Sequence, residues 1–156
     1  MDTIFDELAF IRTQTLQAIE GVTEELADRI PTGFRNHIRW QLGHIYISTE
    51  ILAFSQLNLP IHLPEGCKAL FAPGTSPSDD IANTVPVPTL AQLASLLEEQ
   101  PARVKEAMLG RDLNESVPPK TTSTGLVLRT PGQSLRSLLY HEGYHCGILS
   151  VYKRLL

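Results

Sequence analysis

Apolar residues recur at helical spacing through four stretches of the chain, separated by polar or proline-rich segments. From about Thr3 to Ile19, the residues Ile4, Phe5, Leu8, Ile11, Thr15 or Leu16, and Ile19 share a face, while Asp6, Glu7, Arg12 and Gln17 fall mostly elsewhere; an amphipathic helix is predicted. Gly21 ends it. Thr23-Glu24-Glu25 reads as an N-cap followed by acidic residues in a first turn, opening a short helical piece that Pro31-Thr32-Gly33 stops. In the second long stretch, about Asn36 to Gln56, Trp40, His44, Ile47, Ile51 and Phe54 form one stripe, which puts His44 on an apolar face.

Residues 57–88 contain Pro60, Pro64, Gly66, Pro73, Gly74, Pro77, Pro86 and Pro88, a density of breakers that predicts a long loop. It reads either as a lid over the mouth of a bundle or as a surface wrap between helices. Thr89-Leu90-Ala91-Gln92 fits a capping box and opens a third helix through Leu93, Leu96 and Leu97 to about Leu109, with Gly110 as its stop. Pro101 predicts a kink near Glu99-Gln100 or a restart there. Between 111 and 130, Pro118-Pro119 and Gly125-Leu126-Val127-Leu128-Arg129 leave both a short extended piece and a plain loop open. Pro131 then starts a last helix whose stripe is Leu135, Leu138, His141, His145, Ile148 or Leu149, and Tyr152, ending at Lys153-Arg154. The pattern predicts an all-α four-helix bundle in one domain over residues 1–156, with a long loop between helices 2 and 3.

Composition narrows the partners. The chain has 156 residues, enough for a real core, and is 42% apolar and 19% charged, as expected of one globular domain. A formal charge of -4 leaves no basic cluster for phosphates, so nucleic acid is not expected as a partner. The first residues are acidic where a signal peptide is basic, and no apolar run is long enough for a bilayer; the expectation is a cytoplasmic protein without a membrane partner. Cys67 and Cys146 are expected to be free thiols, Cys146 buried and inert and Cys67 in the loop the more reactive.

Candidate chemistry centres on Tyr140-His141-Glu142-Gly143-Tyr144-His145-Cys146-Gly147. Histidines four apart on a helix project from one face one turn apart, a spacing at which two imidazoles can share a metal ion. In an antiparallel bundle the middle of the second helix can face the last one, so His44 can join His141 and His145 and leave a coordination position open. Gly43 and Gly147 would let backbones approach closely at this level. The same residues match the His-Glu-x-x-His protease signature literally, but a protease is not expected, because the sequence stops at Leu156 before the downstream ligand helix that such enzymes usually use and no strand pattern offers an edge to a peptide. Glu142 is left as either a base or a solvated side chain. His37, two turns before His44, reads as a residue of the pocket mouth or a structural histidine; Trp40 and Tyr144 read as core or pocket wall; His62 could act only if the loop folds over the site.

Asn36-x-Ile38-x-Trp40-x-x-Gly43-His44 with His141-Glu142-x-Tyr144-His145-x-Gly147 resembles the DinB-like, or YfiT-like, family of metal-binding four-helix bundles, and Phe71-Ala72-Pro73-Gly74-Thr75-Ser76-Pro77 is similar to a loop of some members. The resemblance covers nearly the whole chain in helix order. It implies that His44, His141 and His145 hold a divalent ion such as zinc or nickel, and that the protein is a homodimer. It further implies an enzyme acting on a small-molecule substrate, with a low-molecular-weight thiol as co-substrate, as in the S-transferases that use bacillithiol and the mycothiol-dependent isomerases. The expected function is therefore a metal-dependent thiol S-transferase. The alternatives are a metal-dependent hydrolase, in which the ion lowers the pKa of water, and a non-enzymatic metal-binding stress-response protein.

Overall fold

The computed structural model describes residues 3–78, 81 and 84–156. Four long helices, α1 (Thr3–Ala18), α3 (Ile38–Phe54), α5 (Leu90–Met108) and α6 (Pro131–Leu155), form the predicted all-α bundle. Two short ones, α2 (Glu24–Ala27) and α4 (Cys67–Phe71), lie in the connections. Neighbours around the bundle run α1, α6, α3, α5 and back to α1, with α4 laid on α3. Among the described residues no helix is long and apolar enough to cross a membrane.

Local chemistry sets the helix ends. Thr23 accepts from Leu26 N–H, and Thr130 from Gln133 N–H with Pro131 at the first helical position. Thr89 and Gln92 complete the predicted capping box. α3 begins two residues later than the pattern indicated, because the His37 imidazole caps it: Nδ1 accepts from Trp40 N–H at 2.9 Å.

Pro101 neither interrupts nor restarts α5, which runs continuously from Leu90 to Met108. The carbonyl that proline leaves without its usual partner is that of Leu97, four residues back, and Arg12 Nη1 donates to it at 2.5 Å. Arg12 is itself buried, with Nε and Nη2 donating to the two oxygens of Glu142 at 2.6 and 3.0 Å and both Nη atoms reaching Gln100 Oε1. Gln100 passes the network on to the Tyr46 carbonyl and to Glu50, which also pairs with Arg103.

This polar layer divides the core. On one side lie Ile38, Leu42, Ile45, Leu93, Leu97 and Leu149, on the other Phe5, Leu8, Phe54, Val104, Leu135 and Leu138. All three bundle histidines come from helix segments at the level of the division.

Residues 111–130 resolve the choice the sequence left open. β1 (Lys120–Thr121) and β2 (Val127–Leu128) pair antiparallel, Lys120 opposite Leu128, and Gly125 takes the left-handed conformation (φ 89°) that the turn needs. This hairpin stands over the α3–α6 seam: Lys120 Nζ donates to Ile51 O at 3.2 Å and Ser55 Oγ at 2.8 Å, and buried Leu128 anchors β2.

Leaving one member of a buried ion pair unpartnered typically costs about 3–5 kcal/mol, whereas replacing both with apolar groups costs far less. Urea unfolding of Arg12→Met and Glu142→Leu should each show a loss of about that size, with the double variant losing less than either. Additive losses would mean that the two side chains are not coupled.

Candidate metal centre

α3 and α6 bring His44, His141 and His145 together, with one nitrogen of each lying within 4.8 Å of those of the other two. His44 Nε2 and His141 Nε2 are 3.2 Å apart. His44 and His145 are buried and His141 is partly so.

Each flank of the cluster is held from behind. His44 Nδ1 donates to the Phe71 carbonyl at 2.7 Å; a carbonyl only accepts, so the hydrogen is on Nδ1 and the Nε2 lone pair faces the other rings. Trp40, one turn back, stacks on the His44 ring at 4.6 Å between centroids and 9° between planes, and its Nε1–H donates to Thr75 Oγ1. Phe71 sits this close because position 43 is glycine: a Cβ there would lie 2.4 Å from the Phe71 ring. His145 Nδ1 donates to Gln41 Oε1 at 2.5 Å, and the Gln41 amide turns its other end to Tyr152. A backing hydrogen bond that fixes tautomer and ring plane is what metal-ligating histidines ordinarily have.

Electrostatics favour the unprotonated state. Burial pushes His141 down to about 4 and His145 to about 3, with the neighbouring imidazoles adding to the effect, and burial also lowers His44. At neutral pH the cluster is a set of neutral donors. A tetrahedral ion at the usual zinc–nitrogen distance separates its ligand nitrogens by about 3.4 Å, so the 3.2 Å pair already has that spacing. The residues therefore fit a divalent cation with a position to spare.

A cavity of about 250 Å³ adjoins the cluster on the His44 and His141 side. Ser48, Ile51 and Leu52 of α3 and Ser137 and Tyr140 of α6 form its floor, Pro73 one edge, and the hairpin with Lys120, Thr121, Thr122 and Leu126 its roof. Two chain segments thus enclose the site. The proline-rich loop supplies Phe71, Pro73 and Thr75 at the back of His44, and the hairpin after α5 covers the cavity.

Other candidates from the sequence fall elsewhere. Trp40 and His37 line a separate cavity of about 380 Å³ on the far side of the loop, and His37 is an N-cap. Tyr144 is exposed and meets His145 edge-on at 5.4 Å; Tyr140, not Tyr144, borders the cavity at the triad. The expectation of a base at Glu142 meets a different geometry. One residue past His141, about 100° around the helix, its carboxylate points to α1, with Arg12 on both oxygens and Thr15 on one. It is also buried rather than solvated. Exposed His62 contributes backbone bonds to Glu50 and Tyr46. Cys67, expected to be the reactive thiol, is fully buried because its loop segment folds into α4, and burial pushes its pKa up; that of half-buried Cys146 is raised as well. Gly147 is exposed, with open space around it, so of these two glycines Gly43 alone serves close packing. Gln41, the Phe71 carbonyl and the hairpin were not picked out, because a polar residue on a helix, a backbone atom and a short polar strand have no periodic signature.

Below 6.5 an unfolded chain takes up protons that folded His141 refuses until about pH 4, so the metal-free protein should lose stability as pH falls through that window. Denaturant midpoints of metal-free protein from pH 7 to 4 should fall more steeply for wild type than for His141→Ala. Parallel curves would refute the burial argument.

A search of the curated proteins found no match to this chain. The sequence profile of the DinB superfamily matches residues 7–149, most of the chain and all of the cluster. With a bundle of the expected helix order and the histidines gathered at its centre, the chain belongs to the DinB superfamily.

Proposed function

We propose that the protein is a metal-dependent thiol S-transferase, in which His44, His141 and His145 hold a divalent ion such as zinc or nickel. The observation that carries this reading is the make-up of the cavity beside His44 and His141: its lining offers hydroxyls, apolar side chains and one lysine, but no carboxylate among the described residues. Hydrolysis at a metal site commonly recruits a carboxylate to handle the proton of the attacking water, and the nearest one in sequence, Glu142, is held by Arg12. A bound divalent cation deprotonates a coordinating thiol outright, so thiol chemistry needs no such base.

The chain's own contributions follow from the geometry. The Phe71 carbonyl and Gln41 keep the Nδ1 hydrogens of His44 and His145 pointing away from the centre, and Trp40 stacking fixes the His44 plane. Ile51, Leu52, Pro73 and Leu126 exclude water and give an electrophile an apolar wall, while Ser48, Ser137 and Thr121 orient polar parts of the two substrates. Homodimerisation belongs to the same proposal. Exposed Tyr140, Tyr144, Val151 and Leu155 lie along one face of α6, an apolar stripe that a second copy would cover; a monomeric mass in solution would remove this part.

The test is a screen of zinc- and nickel-loaded protein with bacillithiol, glutathione and cysteine against monochlorobimane and an aryl chloride, read by mass spectrometry of the conjugates. Conjugation should depend on metal and fall at least 100-fold in His141→Ala, by analogy with the loss of other site groups. Ester cleavage without any thiol, and no conjugate with any of the three, would turn the reading to hydrolysis.

A further inference from the structure

The cavity beside the triad has a second polar end. Lys120 reaches across from β1 to the C-terminal turn of α3, where Ile51 and Ser55 accept from its ammonium. His44, Ser48, Ile51, Leu52 and Ser55 share one face of α3, so Lys120 stands two to three turns from the triad, on the order of 10 Å along the helix. Between the two ends lie the hydroxyls of Ser48 on α3, Ser137 on α6, and Thr121 and Thr122 on the hairpin.

The lysine is short of compensation. Among the described residues no carboxylate pairs with it, its two partners are a neutral carbonyl and a hydroxyl, and it is partly buried. The partial negative charge of the α3 C-terminus offsets some of this cost. Burial also lowers its pKa, the direction expected of an ammonium that lacks an anion. A ligand filling the cavity would strip further water from the group. A neutral ligand would leave a desolvated cation, whereas an anionic one would supply its partner.

We infer that the cavity selects a thiol carrying a carboxylate at its far end, with Lys120 as the specificity-determining residue that receives the carboxylate while the sulfur lies at the His44 and His141 end. This rests on the thiol reading above. The span and the hydroxyls along it fit an extended, hydrogen-bonding molecule such as a cysteine-containing conjugate rather than a compact neutral thiol.

The test uses 6-mercaptohexanoate and 6-mercaptohexanol, chains of equal length that differ in charge at the far end, titrated calorimetrically into zinc-loaded protein. Wild type should bind the acid about tenfold more tightly than the alcohol. K120Q, which keeps an N–H donor for Ile51 and Ser55 but no charge, should abolish the preference by weakening the acid alone, and K120R should retain it. Equal binding of the two thiols by wild type, equal weakening of both in K120Q, or no binding of either overturns the assignment. Should K120Q not fold, the wild-type ratio and its decline with added salt decide the matter. Hexanoate and hexanol titrated into metal-free and zinc-loaded protein separate the two claims. A preference for hexanoate, with no gain from adding the thiol group in the zinc-loaded protein, would sink the thiol reading and leave the lysine assignment standing.

Discussion

The bundle depends on a layer of buried polar side chains across its middle. Arg12 and Glu142 pair between α1 and α6, Gln100 links that pair to Glu50 and Arg103 between α5 and α3, and Arg12, Glu142, Gln100 and Glu50 are each held by a further hydrogen bond, while Arg103 lies over the Phe54 ring. Charges in such a place are costly when misaligned, so the layer specifies the rotation and axial position of every helix more sharply than leucine packing would. The consequence for α6 is direct. With Glu142 fixed toward α1, the residues beside it and one turn along, His141 and His145, must face α3, where His44 waits.

The histidine cluster is the other half of the same layer, but it is satisfied differently. Arg12 and Glu142 neutralise each other, whereas the cluster is made of three neutral imidazoles, with His44 Nε2 lying 3.2 Å from His141 Nε2. The Nδ1 atoms of His44 and His145 are tied down by the Phe71 carbonyl and Gln41, and burial drives the pKa of all three histidines down. Such a site holds unprotonated donors at a fixed spacing and meets a cation at little reorganisation cost. Pro101 shows the same economy of parts: the carbonyl it leaves free on Leu97 is taken by the arginine that positions α6.

Much of this was readable from residue spacing. The 3.6-residue stripes located all four long helices, the Thr89 capping box and Pro131 marked two of their starts, and His44, His141 and His145 stood out because polar residues on apolar stripes need a reason. What spacing could not show was pairing across the bundle. Arg12 and Glu142 each look like ordinary solvated helix charges, and only the packing of α1 on α6 reveals that they are buried together. The hairpin was ambiguous because two-residue strands are too short to display alternation, and its place over the cavity follows from Lys120 and Leu128, whose partners lie far away in sequence. Cys67 is buried against expectation for a related reason: a proline-rich segment reads as exposed loop, yet five of its residues form α4 and pack on α3.

If His44, His141 and His145 hold a metal ion, as proposed, the ion should copurify with the protein. Elemental analysis of protein purified without added metal, alongside His141→Ala prepared identically, addresses it most directly. About one divalent ion per chain is expected in wild type and close to none in the variant. Equal and low metal contents in the two would contradict it.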